Sequence, residues 1–379
     1  MVARNGRGQT GSVNKILDHA RRFTRHGWQV TLAANRLDIS ALAAEGITGR
    51  RVRESWLPFL KARRTAFQRR AEAWLARQRF DLVIAHGDIL AQDVLHVHNC
   101  VHLAHEILEG RPPGPDHDGA AFHHTMLSGQ RFRVLIANGH LMRQDLQRRF
   151  AIPAERIEVI HPGFNPERFR REDRERFAPE VRARLAVPAG RRLLGFITSG
   201  NFRKRGLDLL IQAVAGLPVE LRDTVQVVVV GGDQGIDQYL AMAAKGGIRD
   251  HITVVERQTA IERYHHAMDL FVLPARIEEF GQAAQEAMVC GVPAIVTDRM
   301  GVAERLPAAD RPGVVPAGDV AALRQALQRF LTDEPLRRGW AETCFQACRT
   351  NTWQANWEAH LPIYEAAMAE RRRESPAVP

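Results

Sequence analysis

Leu270 to Pro293 reads LFVLPARIEEFGQAAQEAMVCGVP. The apolar run Leu270 to Leu273 breaks at Pro274 and gives way to a short loop. Small residues then recur at helical spacing as far as Gly291, and Val292-Pro293 leads into a second apolar run, Ala294 to Thr297. Short, wholly apolar runs bounded by turn residues suit strands buried on both faces. The stretch therefore reads as strand, loop, short helix, strand, the repeating step of a parallel sheet wrapped by helices. Glu278 falls in the loop and Glu286 in the helix. Gly281 lets the backbone come close to a ligand, and the free N–H groups of a helix start offer a place for an anion. The plainer alternative is an exposed acidic loop beside a surface helix. Ala283, Ala284 and Ala287 argue against it, because small residues around Glu286 imply close packing.

The same step recurs on either side. Leu193 to Thr198, Val225 to Val230 and Ile252 to Val255 read as further strands with helical stretches between them. Ligands of open α/β sheets lie beyond the carboxyl ends of the strands, so the loops after each strand are where chemistry is sought. After Thr198 comes SGNFRKRGLD, Ser199 to Asp208. Lys204 and Arg205, directly before Gly206 and a helix, suit the neutralisation of a diphosphate leaving group. A solvated charge run is the alternative there.

The first half repeats the architecture. Lys15 to His26 reads as a helix stopped by Gly27, followed by strands at Trp28 to Ala33, Asp81 to Ala85, Val94 to Val97, Val134 to Ala137 and Ile157 to Ile160. After Pro162-Gly163 an Arg- and Glu-rich segment to about Arg192 reads as an irregular connection. From Thr352 to Glu370, Trp353, Trp357, Leu361 and Tyr364 form one stripe of a helix that must bury against a domain surface. A chain of 379 residues exceeds the ~250–300 at which single cores stop growing. The expected division is 1–163, 164–350 and a C-terminal helix over 351–379.

Two features of the first half carry candidate chemistry. RNGRGQTGS, Arg4 to Ser12, is a glycine-rich turn before a helix, which can bring backbone N–H groups to a phosphate; a flexible terminus is the alternative. Met1-Val2-Ala3 leaves almost no first strand, as expected if the start is misassigned upstream. The other feature is the histidines: His86 ends one strand segment, and His96 and His98 end the next, with His102 and His105 beyond. An H-x-H pair on one strand face with His102 could suggest a metal site, but no carboxylate or thiolate completes it. A packed core or surface histidine is the alternative for any one of them. The four cysteines, Cys100, Cys290, Cys344 and Cys348, are too scattered for a disulfide framework or a paired zinc motif and read as small packing residues.

Glu278, Phe280, Gly281 and Glu286, in register with the following Gly-Val-Pro, resemble the E-x7-E signature of the retaining glycosyltransferases of family 4. The resemblance extends over nearly the whole chain, including His161-Pro-Gly-Phe-Asn-Pro-Glu-Arg-Phe169 at the entry to the connection. It implies the GT-B fold: two Rossmann-like domains with parallel sheets facing across a cleft, and a C-terminal helix crossing back. It further implies that Glu278 contacts the donor sugar, with Glu279 as the competing neighbour, and that Glu286 holds the nucleotide ribose. Phe280, Gly281, Lys204, Arg205 and Gly11 would complete the donor site, and His98 would stand near the reacting centre. The family slot usually places Arg before Lys-Gly; here the order is Lys204-Arg205-Gly206. No cofactor or metal is expected. The chain is nearest to bacterial lipopolysaccharide-core hexosyltransferases, which implies a UDP-sugar donor and a glycan or lipid-linked acceptor of the cell envelope.

The net charge is +10, and much of the excess lies between Arg50 and Arg79. Trp56, Phe59, Leu60, Phe67, Trp74 and Leu75 are interleaved there with arginines, which suits residues 56–79 to an anionic membrane surface. An arginine-rich helix with one core stripe is the alternative. A nucleic-acid-binding protein is favoured by charge alone and forms no known module. A nucleotide-sugar epimerase of the same fold is the rival enzyme. No apolar run is long enough to span a bilayer and no signal peptide is evident, so the expected location is cytoplasmic, with peripheral attachment to the inner face of the membrane.

Overall fold

The computed structural model describes residues 1–6, 11–56, 60–232 and 235–374. Residues 7–10 of the glycine-rich turn and 57–59 of the basic stretch lie outside the described residues. The chain divides into two compact units, Met1–Pro162 with Trp353–Pro379, and Gly163–Thr352.

In the first unit β1 (Val30–Ala34) pairs with β2 (Ile47–Arg51), and β3 (Ile84–Ala85), β4 (Val94–His96), β5 (Val134–Ala137) and β6 (Ile157–Val159) follow in that order, every pair parallel. Val2 joins the two sets, bridging Ala33 on one side and Ala85 on the other. Its N–H donates to Ile84 O at 2.8 Å, and its carbonyl accepts from His86 N at 3.2 Å. One residue thus does the work of the strand for which Met1-Val2-Ala3 leaves no length. The helix Gly11–Arg25 and the C-terminal helix Trp353–Glu374 share this unit's core, where Ile16, Ala20, Phe23, Trp357 and Tyr364 are buried together.

The second unit holds β7 (Arg192–Ile197), β8 (Val225–Val230), β9 (Ile252–Val255), β10 (Leu270–Leu273), β11 (Ala294–Thr297) and β12 (Val314–Val315) in one parallel sheet. The order across it is β12-β11-β10-β7-β8-β9. This is the doubly wound order, whose direction reverses between β7 and β10, and it opens a crevice at their carboxyl ends. All six residues of β8, VQVVVV, are buried, as a central strand covered by helices on both faces requires.

The connection read as irregular contains the helix Arg174–Arg184. Pro179 inside that helix and its many arginines hide a stripe of Phe177, Val181 and Leu185, of which Val181 and Leu185 are buried. The edge strand Ile47–Arg51 and the two-residue Val314–Val315 were not anticipated. The first, ITGRR, keeps one side in water and shows no apolar run.

Candidate active site

The site is built on the two loops that leave β7 and β10, neighbours at the point where the sheet reverses. After β7 the chain reaches Asn201, whose side chain accepts from Lys204 N at 2.9 Å and so caps the short helix Phe202–Arg205. Gly206 ends it at φ +78, where a Cβ would lie 2.1 Å from Pro274 O. Only glycine lets this loop sit against the one after β10. Arg276 ties the two loops: its N–H donates to Lys204 O at 2.9 Å and its guanidinium to both Asp208 oxygens at 2.8 and 2.6 Å.

This junction sets four charges together. Lys204 Nζ donates to both oxygens of Glu279, at 2.8 and 2.7 Å, and both side chains are almost fully buried. Arg205 Nη1 lies 2.5 Å from Glu278 Oε2. Burial pushes the Glu278 carboxyl above the ordinary carboxylate range; Arg205 pulls it back, and Glu279 beside it pushes it further up. The Glu278 backbone is fixed from both sides, receiving Gly301 N–H at its carbonyl (3.1 Å) and donating to Arg299 O (3.0 Å). Phe280 is buried, and Gly281, at φ +99, turns the chain into the helix Gln282–Val289. Glu286, on that helix, keeps 22% of its side chain exposed, and its nearest ionisable neighbour across the fold is His265, at 3.7 Å.

The structure therefore brings Lys204, Arg205, Glu278, Phe280, Gly281 and Glu286 onto one edge of the second unit. Gly11 and His98 belong to the first unit, Gly11 as the first residue of the Gly11–Arg25 helix. His98 stands just beyond β4, with its Nε2 3.0 Å from His86 Nδ1 and the two rings nearly parallel, 5.3 Å apart. Burial, reinforced by Lys15, lowers the His98 pKa to about 3, so the ring is neutral at pH 7. It is the outermost member of a buried array. His96 Nε2 and His19 Nδ1 each lie 2.9 Å from the Tyr364 hydroxyl, which can donate to one and accept from the other. His360 stacks on His96 at 5.3 Å. Lys15, one turn before His19, is driven by burial to a pKa of about 7.

His96, His98 and His102 do not converge. His96 serves Tyr364, His98 serves His86, and the His102 ring lies against Phe150. Among the described residues no group of three or more His, Cys, Asp or Glu side chains is placed to hold a metal ion. The basic helix Leu60–Leu75 buries Phe67 and Ala71 in the core, which removes those two from any outer surface, and packs the partly buried Trp74 against Phe80; Trp56, 89% exposed, stays outside. Among the described residues no helix is long and apolar enough to cross a membrane. Sequence reading missed the Arg276–Asp208 tie, the pairing of Lys204 with Glu279, and His265. Each joins residues far apart in the chain.

The sequence model of the family described as Glycosyltransferase Family 4 matches residues 10–168, and that described as Glycosyl transferases group 1 matches residues 178–346. A D-inositol 3-phosphate glycosyltransferase from Xylanimonas cellulosilytica is 29% identical over 320 residues, 79% of this chain and 70% of that protein. Its counterpart from Salinispora tropica is also 29% identical, with 62% of its length matched. The lipopolysaccharide glucosyltransferase WaaG of Escherichia coli K12 is 30% identical over 200 residues, about half of each chain. Among solved structures, WaaG superposes with a TM-score of 0.81 at 21% identity, covering 96% of this chain and 98% of that one. Anabaena Alr3699/HepE, solved in complex with UDP-glucose, superposes with a TM-score of 0.72 at 17% identity, covering 96% and 98%.

Proposed function

We propose, for a chain that belongs to the GT-B glycosyltransferases through the two family domains at residues 10–168 and 178–346, that it transfers a hexose from a UDP-sugar to a glycan or lipid-linked acceptor with retention of configuration. The observation that carries the reading is the junction of Lys204, Arg205, Glu278 and Glu279 at the carboxyl ends of β7 and β10, with Glu286 one helix further on. The UDP bound in Anabaena HepE supports the choice of base, and the WaaG relative supports a lipopolysaccharide-core or other cell-envelope acceptor.

In this reading Glu286 accepts from the ribose hydroxyls, and the backbone at Phe280 and Gly281 lies along the nucleotide. Lys204 spends two of its three N–H donors on Glu279 and has one for the diphosphate. Arg205 leaves Glu278 for the more highly charged diphosphate, and Glu278 is released to hydrogen-bond the sugar. In this reading the reaction runs on one face of the sugar. The bond from the anomeric carbon to the diphosphate breaks, the bond to the acceptor oxygen forms on the same side, and the acceptor proton passes to a diphosphate oxygen. Lys204 and Arg205 stabilise the charge that builds on that leaving group. His98, neutral at pH 7, supplies an N–H to a sugar hydroxyl. Gly11 and its turn are assigned to the donor side. No metal enters the scheme. Peripheral attachment through residues 56–79 rests on Trp56 and the exposed Arg69 and Arg70; flotation with anionic vesicles tests it, and recovery equal to that with neutral vesicles would remove it.

The central test is a thermal-shift panel of UDP, GDP and ADP with their sugars, followed by assay of the sugars that bind. UDP at about 100 times its Kd should stabilise the protein by about 2.7 kcal/mol, and Glu286→Gln should lose that shift while its unliganded melting temperature is unchanged. A protein that no nucleotide stabilises would end the donor assignment, and isomerised sugar formed without acceptor would replace transferase with epimerase.

A further inference from the structure

Glu278 and Glu279 each have a cation. Glu286 has none among the described residues, and its carboxylate instead faces His265 from the neighbouring helix Ile261–Ala267, Nε2 to Oε2 at 3.7 Å. His265 is completely buried, and neither ring nitrogen has a hydrogen-bond partner among the described residues. A buried imidazole without partners costs about 1–3 kcal/mol relative to a satisfied one, so a purely structural position would favour an apolar side chain. The ring is not loose filler. Phe271 of β10 lies 5.8 Å from it and Phe169 6.0 Å, the latter edge-on, so the ring is packed against two aromatic neighbours. The adjacent His266 is equally buried and equally without hydrogen-bond partners among the described residues, but its ring stacks on Phe177 at 5.8 Å; what sets His265 apart is the Glu286 carboxylate 3.7 Å from its Nε2.

We propose that His265 is a positioning residue, an imidazole held between two phenylalanines so that its Nε2–H steadies the Glu286 carboxylate in the orientation that receives the ribose. The proposal rests on the assignment of Glu286 to the nucleotide. The shift from 3.7 Å to hydrogen-bond distance is under 1 Å, within reach of a side-chain adjustment when one Glu286 oxygen turns to a hydroxyl. An anchored carboxylate pays less conformational entropy on binding than one that must be ordered by the ligand itself. His265 touches no substrate in this arrangement, so its effect falls on nucleotide affinity.

The experiment measures UDP binding calorimetrically, and donor KM and kcat, for wild type, Glu286→Gln, His265→Phe, His265→Gln and His265→Asn. Phe keeps the ring shape without the nitrogens, Gln places an N–H near the Nε2 position, and Asn falls short of it. The expected result is a UDP Kd about tenfold higher for Phe and Asn, largely recovered by Gln, with kcat at saturating donor within about twofold of wild type. If Phe does not fold, the Gln-against-Asn comparison carries the same information. UDP affinity within twofold of wild type in both Phe and Asn, while Glu286→Gln loses binding, overturns the positioning role and leaves the donor site standing. Unchanged UDP affinity in Glu286→Gln removes the donor assignment itself, and the role of His265 with it.

Discussion

Lys204 and Glu279 have given up nearly all contact with water for each other, and that makes them costly to separate. Removing one partner of a buried pair leaves an uncompensated charge worth about 3–5 kcal/mol. Lys204→Met should therefore lower stability to chemical denaturation by that amount, and the double variant with Glu279→Leu should recover most of it. Equal losses in the single and double variants would mean that the pair contributes nothing beyond packing. Arg205 and Glu278 are a different case. Arg205 is the cation expected to change partners, so Arg205→Ala should weaken UDP-sugar binding and lower kcat by about tenfold or more each while moving the melting temperature little. A stability loss as large as that of Lys204→Met, without a kinetic one, would reverse the two roles. The identities of these residues were legible in the sequence because each sits in a short loop after an apolar run. Which glutamate each cation meets was not legible, since Lys204 and Glu279 come from different loops and meet only when β7 and β10 lie side by side.

Strand, loop and helix are tied by two glycines at positive φ, Gly206 and Gly281. At Gly206 a Cβ would strike the backbone of Pro274, whereas at Gly281 the nearest atom is the end of a flexible side chain, Met300 Cε at 2.7 Å. Gly206→Ala should accordingly cost on the order of 3 kcal/mol and abolish transfer, and Gly281→Ala about 1–2 kcal/mol with partial activity. Melting curves and initial rates check the order; a milder Gly206→Ala would contradict the close approach of the two loops. At this scale the elements that carry the site were legible from local pattern alone, β10 and β11 residue for residue. The helix Arg174–Arg184 was not, because Pro179 and its arginines mimic a linker and its burial comes from the helix Ile261–Ala267 that it packs against. Val2 could not be read as a strand, because a single residue carries no period.

Across the first unit the histidines act together. His19, His86, His96, His98 and His360 are all held below the ordinary histidine pKa, chiefly by burial, with His19 and His98 near 3. In the unfolded chain each ring charges as pH falls through about 6.5, while in the fold it stays neutral. Stability is complete above that pH and declines below it, by about 1.4 kcal/mol per pH unit for each ring kept neutral. Several such rings exhaust a typical domain stability of about 5–15 kcal/mol within about two pH units. The unit containing Trp357 and Tyr364 should therefore lose its near-ultraviolet circular dichroism between about pH 6.5 and 4.5. A signal unchanged to pH 4 would show that the rings are solvated or paired in solution.

The account as a whole turns on whether the carboxyl ends of β7 and β10 receive a nucleotide sugar, and a crystal structure with a bound UDP-sugar measures that directly. It should show Glu286 accepting from both ribose hydroxyls, Arg205 moved from Glu278 to the diphosphate, and Glu278 on the hexose. A nucleotide bound elsewhere, or bound with Arg205 still on Glu278 and Glu286 turned away, would contradict it.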